Sequence, residues 1–395
     1  MSGGTVERVV VEDFFGVIKL FSDGSVIRGD ESTIIPPGPY PDAPGVQWKD
    51  AVYDAARGLK VRVYRLSPAA AACGSEGNNK LPVLVYFHGG GYCIGAYDQP
   101  IFHSFCQRLA AAIPAVVLSV QYRLAPEHRL PAAIEDAATF FSWLRGAGAT
   151  EPWLAGSADL SRTFVSGVSA GANLAHNAVV QIATGEIVID PPVRVAGYVL
   201  FSAFFGSEER VATESDPPAG ASLTVAMSDQ LWRMALPVGA TRDHPLANPF
   251  APGSASLEPL PPALVVAPGR DVLYGHVLRY AARLKEMGKA VELAEFVDEG
   301  HGFSVGQPSE ATEELMGILK RYDVSILDHQ GHCEQDGPHA ASAMSPQARA
   351  AWLHAGTLPL GSAAAHTHTV ARDYGRGAAE RGETEAVEKE ERQRR

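Results

Sequence analysis

Four cysteines in 395 residues, with no Cys-x-x-Cys pair and no His/Cys cluster at metal-ligand spacing, argue against a disulfide framework and a structural zinc site. Long apolar runs are missing too. Nowhere do 18 consecutive apolar residues occur, so no transmembrane helix and no membrane partner are expected. Met1 to Arg8 lack a charged stretch leading into an apolar one, the pattern of a secretory signal. Positive charge is in deficit: 33 basic against 45 acidic residues give a formal net charge of −12, which disfavours a nucleic-acid partner or an anionic surface. A reducing, cytoplasmic setting and small-molecule chemistry are therefore expected, with no cofactor or metal. The oligomeric state stays open.

What is present is a core-forming chain. With 46% hydrophobic residues it suits one large α/β domain with appendages as well as it suits two domains. Residues 9–28 alternate apolar runs around a Ser22-Asp-Gly24 turn, residues 29–45 are rich in Pro and Gly, and Val46 to Tyr53 and Leu59 to Leu66 suggest an antiparallel pair. From Leu81 onward short apolar runs alternate with helical patterns. Strands are expected over Val83 to Phe87, Ala115 to Val120, Thr163 to Ser166, Ala196 to Phe201, Ala263 to Ala267 and Val291 to Phe296. Helices are expected over Ile101 to Ala112, Pro131 to Leu144, Ala170 to Ile182 and Val277 to Met287, the last closed by Gly288. That alternation implies a mainly parallel central sheet with helices on both faces, with functional groups gathered at the carboxyl ends of its strands.

Four short signals sit at such strand ends. Gly167-Val-Ser-Ala-Gly171 follows an apolar run and opens a helix, so Ser169 is expected on a sharp strand-to-helix turn with its hydroxyl exposed. The loop His88-Gly-Gly-Gly-Tyr92 follows Phe87 and offers backbone N–H groups that no side chain covers. Asp271 follows one later strand, and His301, between two glycines, follows the next. A serine hydroxyl needs a base to take its proton, and a carboxylate then fixes the tautomer of that imidazole and stabilises its charged form. The chain order Ser169, Asp271, His301 is the one expected of an α/β-hydrolase arrangement, with oxyanion donors from the Gly-rich loop and from Ala170.

The motifs His88 to Tyr92, Tyr122 to Ala133, Gly167 to Gly171 and Gly300-His-Gly-Phe303, with the lead Asp23-Gly-Ser-Val-Ile-Arg28, resemble the plant carboxylesterase branch of the hormone-sensitive-lipase family across roughly residues 6–327. The resemblance implies an α/β-hydrolase fold with a small cap, Ser169, Asp271 and His301 as catalytic triad, and Gly90, Gly91 and Ala170 as oxyanion-hole donors. It also implies a lead or cap segment over residues 1–45 and a hydrolase domain over 46–327 with a cap insert near 204–248, whereas residues 328–395 read from their own composition as a disordered tail. Trp232 and Met234 in the insert either line an acyl or alcohol pocket or pack cap on core. The motif Tyr122 to Ala133 reads as scaffold, with Glu127, Arg129 and Asp136 spaced for a buried ion-pair network.

Two departures stand out. Val168 occupies a position where the family often has Asp, which leaves local polarity and substrate preference open. After Leu327 the periodicity ends in a segment carrying His329, His332, His339, His354, His366 and His368, read as a solvated tail rather than a metal site. The expected function is a serine carboxylesterase cleaving small-molecule carboxylic esters through an acyl-enzyme. The alternative is a non-catalytic hormone receptor of the gibberellin-receptor type, a group that resembles the same branch but has lost the triad histidine. An amidase, or a lipase for long chains, would use the same triad.

Overall fold

The lead segment folds into its own small antiparallel meander, β1 (Val10–Phe14), β2 (Ile18–Phe21) and β3 (Val26–Arg28). The hairpin expected around Ser22 to Gly24 joins β2 to β3, and a second turn at Phe15-Gly16, both at positive φ, adds the first strand. The main sheet follows as β4 (Val46–Asp54), β5 (Leu59–Leu66), β6 (Leu81–Phe87), β7 (Val116–Val120), β8 (Ala158–Val168), β9 (Val195–Phe201), β10 (Ala263–Arg270) and β11 (Val291–Gly300). Its order is β11-β10-β9-β8-β6-β7-β5-β4, parallel except where β5 pairs with β4 and β7. The computed structural model describes residues 8–67 and 80–335, with side chains through Tyr322. The chain separates into two units, Met1–His332 and Cys333–Arg395, and the first holds the entire sheet.

Side chains alternate between the two faces of this sheet, as the pleat requires. Val83, Val85 and Phe87 of β6 point to one face with Val165 of β8 and Val265 of β10, where α2 (Ala132–Arg145), α4 (Ala170–Ala183) and α7 (Tyr274–Glu286) cover them. Leu84, Tyr86, Phe164 and Val266 point to the other, under α1 (Pro100–Ala112) and α8 (Glu310–Gln335). The short α3 (Pro152–Ser157) precedes β8. Both faces are buried, which is why the strands read as continuous apolar runs. Burying one such side chain stabilises by about 1.5–3 kcal/mol, more than the ~0–1 kcal/mol of an exposed ion pair, so the core and not the surface charge holds these layers together.

Between β9 and β10 the chain leaves the sheet to form α5 (Ala212–Ser215) and α6 (Val225–Ala235). The second helix has clear local causes: Thr224 accepts the Met227 N–H at its start, and Arg233 lies in its last turn. Gly288, at positive φ, follows α7 as expected of a C-terminal stop. Helix α8 runs past Leu327 to Gln335, and residues 336–395, which carry most of the expected tail, lie outside the described residues.

The register brings the ends of five strands, β6, β8, β9, β10 and β11, to one edge. Phe87 pairs with Gly167, Val168 and Val266 with Phe201, and Arg270 with Gly300. The residues that follow include His88, Ser169, Asp271 and His301.

Candidate active site

Ser169 sits between β8 and α4 at φ 56° and ψ −120°, a strained conformation for a residue with a side chain. Its neighbours hold it there. Its N–H donates to the Phe201 carbonyl at 2.9 Å, and its carbonyl accepts from the N–H groups of Ala172, Asn173 and Phe204 at 3.0–3.1 Å. The two flanking glycines are demanded by close approach: a Cβ at Gly167 would lie 2.2 Å from the Gly171 oxygen, and one at Gly171 would lie 2.0 Å from the Phe87 oxygen. Helix α4 therefore starts against the end of β6.

Asp271 and His301 complete a chain of contacts. His301 Nδ1–H donates to Asp271 Oδ2 at 2.6 Å, and Ser169 Oγ–H donates to His301 Nε2 at 2.9 Å. Facing a carboxylate, Nδ1 carries the proton and leaves Nε2 as acceptor. Asp271 is fully buried, and its other oxygen accepts the Leu273 N–H at 3.0 Å, so the carboxylate cannot rotate freely. Ser169 is 8% exposed and the His301 side chain 14%, which leaves this end of the relay within reach of a small molecule.

The Gly-rich loop lies alongside. A Cβ at Gly89 would stand 3.3 Å from the Ser169 Cβ, so the loop passes beside the serine at Gly89, with Gly90 and Gly91 next in the chain. Gly90 has a φ of 117° that other residues rarely adopt. Ala170 is the first residue of α4, so its N–H has no carbonyl partner within the helix. His88 shapes the loop without meeting the serine. It is buried against the Tyr122 ring, 4.3 Å away and nearly parallel, and its Nδ1–H donates to the Gly89 carbonyl at 2.7 Å. Burial pushes its pKa down to about 4 against that hydrogen bond, so the imidazole is neutral at pH 7. Tyr122 Oη–H donates to the His88 carbonyl at 2.8 Å.

The expected ion-pair network around Glu127, Arg129 and Asp136 is not one network. Asp136, fully buried, pairs with Arg123; Glu127 pairs with Arg28 of the lead meander; and Arg129 donates to the Arg233 and Leu236 carbonyls at the end of α6. Asp136 found its cation at the start of the same motif, Glu127 found its own in the lead meander, and Arg129 found backbone. Trp232 and Met234 prove to be buried packing, with Trp232 stacked on Phe204 at 4.3 Å. Their neighbour Leu231 reaches the loop itself. Its Cδ1 fills the space beside Gly91, 2.5 Å from where a Cβ would be. Val168 is 2% exposed and turns into the apolar layer under α1 and α8, so its departure from the family pattern changes the core beneath the serine rather than the space above it.

Other contacts give no signal in the sequence. Arg108 of α1 donates to the Ser304 and Gly306 carbonyls at 3.2 and 2.8 Å, just after His301. Thr213 of α5 donates to the Val272 carbonyl at 2.8 Å, just after Asp271, while Glu214 beside it bonds His276 Nε2 at 2.9 Å. Among the described residues, no group of three or more His, Cys, Asp or Glu side chains could hold a metal ion, and no helix is long and apolar enough to cross a membrane.

Residues 84–305 match the model of an α/β-hydrolase fold family. The chain is 34% identical to carboxylesterase 20 of Arabidopsis thaliana over 315 residues, 77% of this chain and 94% of that one. It is likewise 34% identical over 279 residues to the gibberellin receptor of Oryza sativa subsp. japonica, 66% of this chain and 75% of the receptor. Among solved structures, an esterase from Pyrobaculum calidifontis superimposes with a TM-score of 0.59 at 27% identity, covering 72% of this chain and 86% of the esterase. Strand order, the strand-end residues and these likenesses agree: the chain belongs to the α/β-hydrolase family, in its plant carboxylesterase branch, and is a carboxylic ester hydrolase.

Proposed function

We propose that Ser169 is the nucleophile, His301 the general base and acid, and Asp271 the group that orients and stabilises His301, acting on small-molecule carboxylic esters. The observation that carries this reading is the unbroken relay from Ser169 Oγ through both nitrogens of His301 to the buried Asp271. Ser169 Oγ attacks the ester carbonyl carbon as its proton passes to His301 Nε2. The carbonyl π pair moves onto oxygen, where the N–H groups of Gly90, Gly91 and Ala170 receive it. The oxyanion then collapses, the bond to the alcohol oxygen breaks, and His301 Nε2–H protonates that oxygen. Water repeats the sequence on the acyl-enzyme, releasing the acid and restoring Ser169.

A receptor of the gibberellin type would need a pocket but no relay. The 2.9 Å contact between Ser169 and His301 favours turnover over simple binding. A cytoplasmic setting belongs to the same proposal, with the free, buried Cys93 and Cys106 thiols in keeping with it; imaging a fluorescent fusion checks it.

Purified full chain is expected to hydrolyse p-nitrophenyl acetate or butyrate and to label with a fluorophosphonate at Ser169. Ser169→Ala and His301→Ala each lower kcat by about 10⁴-fold or more. Folded wild-type protein that is inert and unlabelled would overturn the assignment.

A further inference from the structure

One side chain of the lead meander reaches the Gly-rich loop. Arg28 closes β3, and its guanidinium is engaged along every edge. Nε and Nη2 donate to the two oxygens of Glu127 at 2.9 and 2.6 Å, Nη2 also to the Ala125 carbonyl at 2.8 Å, and Nη1 to the Cys93 carbonyl at 2.7 Å. The Cys93 and Ile94 N–H groups donate in turn to the Gly90 carbonyl at 2.9 and 3.0 Å, so the carbonyl that Arg28 holds belongs to the tight turn built on Gly90. Ala125 N–H donates to the Tyr92 carbonyl at 2.9 Å, closing the ring between the two loops. Three residues beyond Arg28, Glu31 accepts the Gly95 N–H at 3.0 Å. Arg28 lies well upstream of residues 84–305, the part of the chain that the family model matches.

We propose that Arg28, held by Glu127, is a positioning residue for the oxyanion hole: it fixes the turn that aims the Gly90 and Gly91 N–H groups. The inference rests on the reading of those two glycines as oxyanion donors. Only the planar, five-donor fork of arginine can hold two carbonyls and a carboxylate together; a lysine ammonium, with three donors at one point, holds fewer of them in that geometry. The effect should fall on the transition state. A ground-state ester oxygen carries little charge, whereas the oxyanion needs donors at 2.7–3.1 Å from a defined point, and a misplacement on the order of 1 Å costs about 10²-fold.

The test compares full-length wild type with Arg28→Ala, Arg28→Lys and Glu127→Gln, using p-nitrophenyl butyrate turnover, inhibition by butylboronic acid, circular dichroism and fluorophosphonate labelling. The boronic acid forms a tetrahedral anionic adduct on Ser169 and so reports the oxyanion hole directly. In folded Arg28→Ala, kcat is expected to fall by about 10- to 100-fold with KM changed less than about threefold, and the boronate Ki to rise by a matching factor. Arg28→Lys should recover part of both losses. Glu127→Gln, which keeps the arginine but weakens its anchor, should show the same split at smaller size and serves if Arg28→Ala fails to fold. Folded variants with wild-type kcat, or with a loss confined to KM and an unchanged boronate Ki, would overturn the inference while leaving an active, labelled wild type and its triad standing. An inert, unlabelled wild type would instead remove the hydrolase assignment beneath it.

Discussion

Asp271→Asn exchanges one carboxylate oxygen for an NH2 group and tests the whole relay. Both carboxylate oxygens are committed in a fully buried site, Oδ1 to the Leu273 N–H and Oδ2 to His301 Nδ1–H. The asparagine amide has two ways to sit. With its oxygen toward Leu273, its NH2 faces His301 and drives the imidazole proton onto Nε2, where it can no longer accept from Ser169. Flipped, it restores the working tautomer but sets NH2 against the Leu273 N–H, leaving a buried donor unpaired at about 1–3 kcal/mol. The flipped form still lacks the charge that steadies the imidazolium, a charge-assisted hydrogen bond worth about 1.5–3 kcal/mol. At about 1.4 kcal/mol per decade, these costs place the loss of kcat near 10²- to 10⁴-fold. The assay is steady-state hydrolysis of p-nitrophenyl butyrate by protein whose near-UV circular dichroism matches wild type. A folded Asp271→Asn that keeps more than about a tenth of wild-type kcat would refute the reasoning, because neither amide orientation then matters.

Two further expectations concern stability. Gly171→Ala places a methyl 2.0 Å from the Phe87 oxygen and 2.4 Å from the His88 oxygen, both backbone atoms; prising α4 from β6 should cost about 3 kcal/mol or more in urea melts and remove activity, and a variant as stable as wild type would show the contact to be soft. Burial pushes His88 and His176 down to about 4 and about 3 from 6.5, so the unfolded chain binds more protons than the folded one in that range. Stability from these two groups is thus complete above pH 6.5 and lost as pH falls toward 4, and Tm should drop across that window; NMR signals of either ring titrating near 6.5 in the folded protein would contradict this.

Much of the site was legible because its chemistry is written in adjacent residues. A Gly-x-Ser-x-Gly run between an apolar strand and an Ala-rich helix marks its turn by the residue types at adjacent positions, although the Phe87 and Phe201 carbonyls that hold it come from other strands. The strands of the buried sheet announce themselves as short apolar runs, and their order limits how Ser169, Asp271 and His301 can meet. The long bonds to backbone were not legible. Arg129 looks like half of an ion pair in the motif Tyr122 to Ala133, yet it donates to the Arg233 and Leu236 carbonyls. Every residue has a carbonyl, so no residue type marks such a partner.

By itself, then, the sequence determined the layers of the core, the strained turn at Ser169 and the residue types of the relay, since these follow from periodicity and from chemistry carried on neighbouring positions. Only the tertiary structure decided how that relay is held: Arg28 on the Cys93 and Ala125 carbonyls, Arg108 behind His301, Thr213 beside Asp271, and Leu231 over Gly91. Those contacts join parts of the chain far apart in sequence. They depend on where folding places a carbonyl or a Cα, and that position is a property of the packed molecule rather than of any stretch of residues.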